Sequence, residues 1–221
     1  MLITSLPNPE ALFLARQPPL SRLKLDRRLR ALTPQHAATL KQIEQVLGWY
    51  QLPISADEED IVQRARRMLD TIDDAVLRRV IRDRLELRSA VAALRRRAHG
   101  GQAPAPGTHW VVGRWVRHMA RHWNEPDFHL GTVFDWIREA DQLMRRGDAL
   151  ALERLLLNVS YRQLQRAADT HCFDFTAVVI YVLKWDIINR ATCHNREAAK
   201  RRFAKMTQAG LGDYANLTMP S

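Results

Sequence analysis

Cysteine, glycine and long apolar runs are all scarce in this chain, and each scarcity excludes something. Cys172 and Cys193 are the only cysteines in 221 residues, which rules out a disulfide framework. The nine glycines form no phosphate-cradling loop, dinucleotide fingerprint or Gly-x-Ser-x-Gly elbow, and no paired-carboxylate signature accompanies them. The longest uncharged apolar run, Phe175 to Leu183, is about half of the roughly 20 residues a membrane span needs. The opening MLITSLPNPE has no basic region ahead of a long apolar stretch, so no secretory leader is expected and the expected location is the cytoplasm. Apolar residues make up 46% and charged residues 26%, a share that suits a folded globular chain with a sizeable core.

Charge of one sign is in excess. Lys+Arg number 34 against 24 for Asp+Glu, a formal +10. The surplus is spread along the chain and interleaved with acids, whereas a phosphate-binding arm concentrates its charge in a block. The basicity therefore points to an acidic partner or surface without naming one.

The pattern is helical throughout. Four prolines among the first twenty residues (Pro7, Pro9, Pro18, Pro19) predict an extended, docked segment. Ser21 caps a short helix carrying Leu23, Leu25, Leu29 and Leu32, and Thr33-Pro34 starts a second, which ends near Gly48. The acids Asp57 to Asp60 open a third, with Arg64, Arg66 and Arg67 expected in its last turns. Asp73 or Asp74 begins a long amphipathic helix to about His99, its apolar stripe running through Leu77, Val80, Ile81, Leu85, Val91 and Leu94 with arginines around the other face. Residues 99–109, HGGQAPAPGTH, read as a Gly/Pro linker between an N-terminal part (1–98) and a C-terminal part (110–209), unless the two form one compact domain overall. Further helices are expected over about 132–146, 148–169, 174–190 and 195–208, with a tail from 210 to 221. The expected fold is an all-α bundle of about seven or eight helices. Its predicted core includes Leu77, Ile81, Leu85, Val91, Leu94, Trp115, Phe134, Ile137, Leu155, Val179, Leu183 and Ile187.

Three constellations invite a chemical reading. His118 and His122 stand four apart on one predicted helix, the spacing of a metal pair, but the catalytic Glu of the zinc-protease motif is missing and Arg117 and Arg121 repel a cation. Cys172-His171 and Cys193-His194 flank one helix at its opposite ends, too far apart for one metal ion. Trp110, Trp115, Trp123 and Trp136 lie among arginines, and core packing with arginine stems alongside is preferred over base stacking. No catalytic residue, cofactor site, metal site or small-molecule substrate is expected.

Two stretches resemble known proteins. Ser5-Leu6-Pro7 followed by Pro18-Pro19-Leu20-Ser21 resembles the start of a small bacterial family of uncharacterised proteins associated with V-type ATPases. The C-terminal third has Leu152-Glu153, His171-x-Phe173-Asp174, Val178, Tyr181, Lys184, Ile187 and Arg190, and resembles the last repeat of the C subunit of V-type ATPases, the d subunit in eukaryotes. The run Ala92-Ala93-Leu94-Arg95 is similar to a helix of the same family. The V-type ATPase protein is longer than this chain and built of three related lobes. The resemblance implies a non-catalytic, all-helical adaptor between the central stalk and the membrane ring, held peripherally at the inner membrane by its partners. Tyr181, Lys184 and Arg190 are then helix-packing or interface residues, and Arg95, Arg96 and Arg97 join them as candidate interface residues. The alternative is an arginine-rich nucleic-acid-binding or regulatory protein using Arg78, Arg82, Arg88 and Arg95 to Arg97; no helix-turn-helix pattern accompanies these residues.

Overall fold

The computed structural model describes residues 6–7, 12–13, 17–47, 58–105, 107–169, 171 and 174–193. Among these residues the regular elements are eight helices and no strand, so the protein is all-α. The helices are α1 (Arg22–Leu29), α2 (Pro34–Leu47), α3 (Glu58–Thr71), α4 (Ala75–Ala98), α5 (Val116–Arg121), α6 (Ile137–Arg145), α7 (Ala149–Ala168) and α8 (175–193). The expected helix over 195–208, the tail, and most of the proline-rich start lie outside the described residues.

Local capping chemistry sets the helix starts. Ser21 Oγ accepts from the Lys24 N–H (3.4 Å), and Thr33 Oγ1 accepts from the His36 N–H (3.2 Å) with Pro34 as the first helical residue. Asp74 Oδ1 takes the N–H groups of Val76 and Leu77 at 2.8 and 3.0 Å, and Asp174 Oδ1 takes that of Ala177 at 2.7 Å. At the end of α6 Gly147 turns through φ +70°, and Asp148 caps the next helix through the Ala151 N–H (3.0 Å). Asp74 also accepts from Thr176 Oγ1 (2.9 Å), which ties the start of α4 to the first turn of α8.

Two apolar cores form, and α4 belongs to both. Leu77, Val80, Ile81 and Leu85 join α1, α2, α3 and α8 in the first core; Leu87, Ala90, Val91, Ala93 and Leu94 join Met119, Trp123, Phe128, Ile137 and α7 in the second. The chain on either side of residues 99–109 therefore shares a core, because Leu25 and Ile43 pack in one cluster with Val179 and Ile187. The Gly/Pro segment is itself held: Gly101 O accepts from Trp123 Nε1–H (3.0 Å), and His109 Nδ1 lies 2.8 Å from Arg66 Nη2.

Several expectations need correction. α4 is not a one-sided amphipathic helix, since Arg84, Glu86 and Ser89 are buried along with its leucines. A central helix packed on α2, α3, α5, α6 and α7 has no free face for a full arginine stripe. Arg64, Arg66 and Arg67 sit inside α3, which continues to Thr71 with no basic residue in its last turn. α6 begins at Ile137 because residues 122–136 form successive turns, with Phe128 and His129 at positive φ, and only Val116–Arg121 of the stretch 110–123 is helical. Of the predicted core, Trp115 and Leu155 are half-buried and the other ten are buried.

Arg84 is the most unusual core residue. It is 4% exposed, and its Nε and Nη1 have no hydrogen-bond partner. Burial pushes its pKa down to about 10, with Arg88 adding to the effect and Asp186 of α8 opposing it. A buried cation without direct bonds costs more than an apolar side chain of similar length. Arg84→Met is expected to raise stability by about 1 kcal/mol or more in urea unfolding; a lowered midpoint would show that Asp186 needs this charge.

Candidate functional site

The last three turns of α4 sort their basic residues onto two faces. Spacing of three, four and seven places Arg88, Ala92, Arg95, Arg96 and His99 along one side and Glu86, Ala90, Ala93 and Arg97 along another. The helix ends where Gly100 adopts φ +76° and the Gly101 N–H returns to Arg96 O (2.8 Å). A Cβ at Gly101 would meet Arg96 O at 2.8 Å, so this close approach requires glycine.

The first face looks into a cleft of about 960 Å3. Its floor is apolar: Val62 and Ala65 from α3, Leu85 and Val91 from α4, Leu152 and Leu156 from α7. Among the described residues its wall carries four arginines, Arg88, Arg95, Arg96 and Arg190, against one carboxylate, Glu153, with His99 and Trp110 beside them. Arg190 Nε donates to Glu153 Oε1 at 2.6 Å. Arg88 Nη1 donates to Val46 O at the end of α2, and burial lowers its pKa although Asp186 pulls the other way. Arg95 and Arg96 line the cleft, are exposed, and hydrogen-bond no described residue. His99 Nδ1 lies 2.7 Å from Arg95 O, which leaves Nε2 directed elsewhere.

Comparison of the chain with family models, curated proteins and solved structures finds no match.

The six candidate interface residues are only partly brought together. Arg95, Arg96 and Arg190 meet at the cleft. Arg97 lies on the other face of α4 and is turned inward: it donates to the carbonyls of Trp123 (2.9 Å), Glu125 and Pro126 (2.7 Å) and to Asp141 Oδ1 (2.9 Å), with its guanidinium 4.3 Å over the Phe128 ring. Tyr181 is buried, its hydroxyl without a partner, and burial raises its pKa. Lys184 is buried too, donating to Gln165 Oε1 (2.5 Å) above the Tyr161 ring, and burial lowers its pKa against the pull of Asp169. These three are packing residues rather than surface ones. Every residue from Thr176 to Trp185 is buried, Tyr181 and Lys184 included, so this part of the helix is enclosed on all sides.

The histidine and tryptophan constellations lie among the described residues. His118, His122 and His129 stack in a column, centroids 4.5 Å apart at each step, and partial burial followed by His118, His129 and Arg121 lowers the His122 pKa. Among the described residues no group of His, Cys, Asp or Glu is arranged to hold a metal ion. Cys193 is a free thiol, while Cys172 and His194 lie outside the described residues. Trp123 and Trp136 are buried in the second core, with Trp110 and Trp115 packed against it. No described helix is long and apolar enough to cross a membrane.

Two exposed rows emerge only with the fold. On α1, Leu23, Arg27 and Arg30 share an outward face. On α7, Leu150 (50% exposed), Arg154, Arg162 and Arg166 follow an i, i+4 line. The second line is legible from spacing alone once α7 is known to be half-buried.

Proposed function

We propose that the protein is a non-catalytic helical adaptor that binds an acidic partner protein through arginine rows carried on rigid helices. The observation that carries this reading is Leu23, an almost fully exposed leucine set between Arg27, Arg30 and Lys24 on a helix whose opposite face is locked into the core by Leu25 and Leu29. Arginine is among the residues that interface hot spots favour, and an exposed leucine between two of them offers apolar surface that a partner can cover. Phosphate contacts need only the charge, so the exposed leucine favours a protein over a nucleic acid. The repeat of the pattern on α7, with Leu150 beside Arg154, gives the adaptor a second basic face. The partner set implied by the resemblance is the central stalk and membrane ring of a V-type ATPase, with peripheral membrane association through those subunits.

The test is a mild-detergent pull-down of tagged protein from native membranes at near-physiological salt, with bound proteins identified by mass spectrometry. Wild type should recover a defined set of acidic polypeptides, V-type ATPase subunits among them. Leu23→Asp should lose at least one of them while keeping the wild-type melting curve. Recovery of nucleic acid alone, lost steeply as salt rises, would instead support the arginine-rich nucleic-acid reading.

A further inference from the structure

We propose that the cleft between α3, α4 and α7 binds a free single-chain carboxylate amphiphile, its alkyl chain on the apolar floor and its carboxylate held by Arg95 and Arg96. This stands on the cleft and not on the adaptor reading. Three features of the site carry it.

First, the volume of about 960 Å3 lies at the upper end of the roughly 300–1,000 Å3 usual for pockets that enclose small ligands. Second, the floor presents branched and small aliphatic side chains from three helices, a surface that gains from covering by hydrocarbon. Third, the charge is one-sided. Among the described lining residues the single acid, Glu153, is already bonded to Arg190, while Arg95 and Arg96 hydrogen-bond no described residue. A guanidinium fork matches a carboxylate with two parallel hydrogen bonds, and two forks at one rim give the head group a place without displacing the Arg190–Glu153 pair. His99, fixed by its Nδ1 contact with Arg95 O, adds a further donor when protonated.

The same balance selects among occupants. A basic segment meets four like charges. A neutral hydrocarbon fills the floor and leaves the rim unanswered. A bilayer is less suited than a free chain, because Arg88 stands inside the wall, bonded to Val46 O, rather than on an outer plane.

The experiment is isothermal titration of the full-length protein with decanoate and dodecanoate below their micellar concentrations, with methyl dodecanoate and anionic phospholipid vesicles as comparison probes. One saturable site is expected. Each methylene that enters the cleft should tighten binding by up to about fourfold, so dodecanoate should bind about tenfold more tightly than decanoate. The methyl ester should bind at least tenfold more weakly than the acid. Arg95→Glu with Arg96→Glu, both at exposed positions, should weaken dodecanoate at least tenfold. Ala92→Trp, which fills the cleft from its α4 wall, should abolish binding in a protein with an unchanged circular-dichroism melt. If that variant does not fold, the exposed double variant still decides. Equal affinity for acid and ester would overturn the role of the arginines. An absent or non-saturable signal would show that the cleft is closed to ligands or filled by the chain itself, and binding to vesicles but not to free dodecanoate would assign the rim to a membrane surface. Any of these three results would overturn the proposal.

Discussion

Arg97→Ala is expected to destabilise the protein by about 3–5 kcal/mol, the range for removing one partner of a buried charged network. Arg97 bonds three backbone carbonyls within residues 123–126 and the Asp141 carboxylate, whose side chain is 8% exposed. It also covers Phe128, a fully buried residue held at φ 50°. A bulky residue in the left-handed region is strained, and the Arg97 bonds are what keep the turn closed over it. Asp127 supports the same turn: although burial opposes it, bonds from the His129 N–H (3.0 Å) and from Arg138 Nε (2.9 Å) hold its carboxyl below the usual carboxylate range. Arg97→Lys should rescue less than half of the loss, because an ammonium has no planar fork to span several acceptors. Guanidinium unfolding measures the loss, and hydrogen exchange should show residues 123–130 opening first. A change below about 1 kcal/mol would mean the turn closes without Arg97.

Leu183→Asp is expected to leave the protein unfolded at 25 °C. Leu183 is 5% exposed and lies in the first core within a run of buried residues from Thr176 to Trp185. An unpaired carboxylate there loses its hydration without gaining a partner. That cost, added to the lost apolar packing, exceeds the roughly 5–15 kcal/mol by which a typical domain is stable. Leu183→Ala separates the terms, since it leaves only a cavity, at about 2–5 kcal/mol. Leu23→Asp is the control on the same chemistry: the exposed leucine should tolerate the charge within about 0.5 kcal/mol. Circular dichroism at 222 nm and a urea titration distinguish all three. A folded Leu183→Asp would mean that α8 presents a different face to the core.

What can be read in the chain beforehand follows from the range of the interactions. Ser21, Thr33, Asp74, Asp148 and Asp174 act on backbone groups two or three residues away, so their role is visible in the local sequence. The region from 111 to 136 is not legible in this way because its geometry is imposed from a distance. Glu86 accepts from the Arg114 N–H (2.9 Å) and side chain, Ser89 Oγ donates to Val112 O (2.6 Å), and Arg97 reaches residues 26 to 29 positions further on. Gly113, at φ +145°, lets the chain pass Glu86, whose Cγ would stand 2.7 Å from a Cβ there. None of these anchors has a periodicity. The same reason explains the candidate site: Arg95, Arg96 and Arg97 are adjacent in sequence and equally charged, yet the roughly 100° step between neighbours sends Arg97 into the core and leaves the other two at the cleft.

The adaptor reading is tested most directly at Leu23. A photoreactive benzoylphenylalanine placed there in the full-length protein, and in a control at the exposed Val133, would be irradiated in native membranes and the covalent products identified by mass spectrometry. A discrete adduct with an acidic polypeptide is expected from position 23, suppressed by raised salt, and none from position 133. Adducts of equal yield from both positions, or capture of nucleic acid alone, would contradict it.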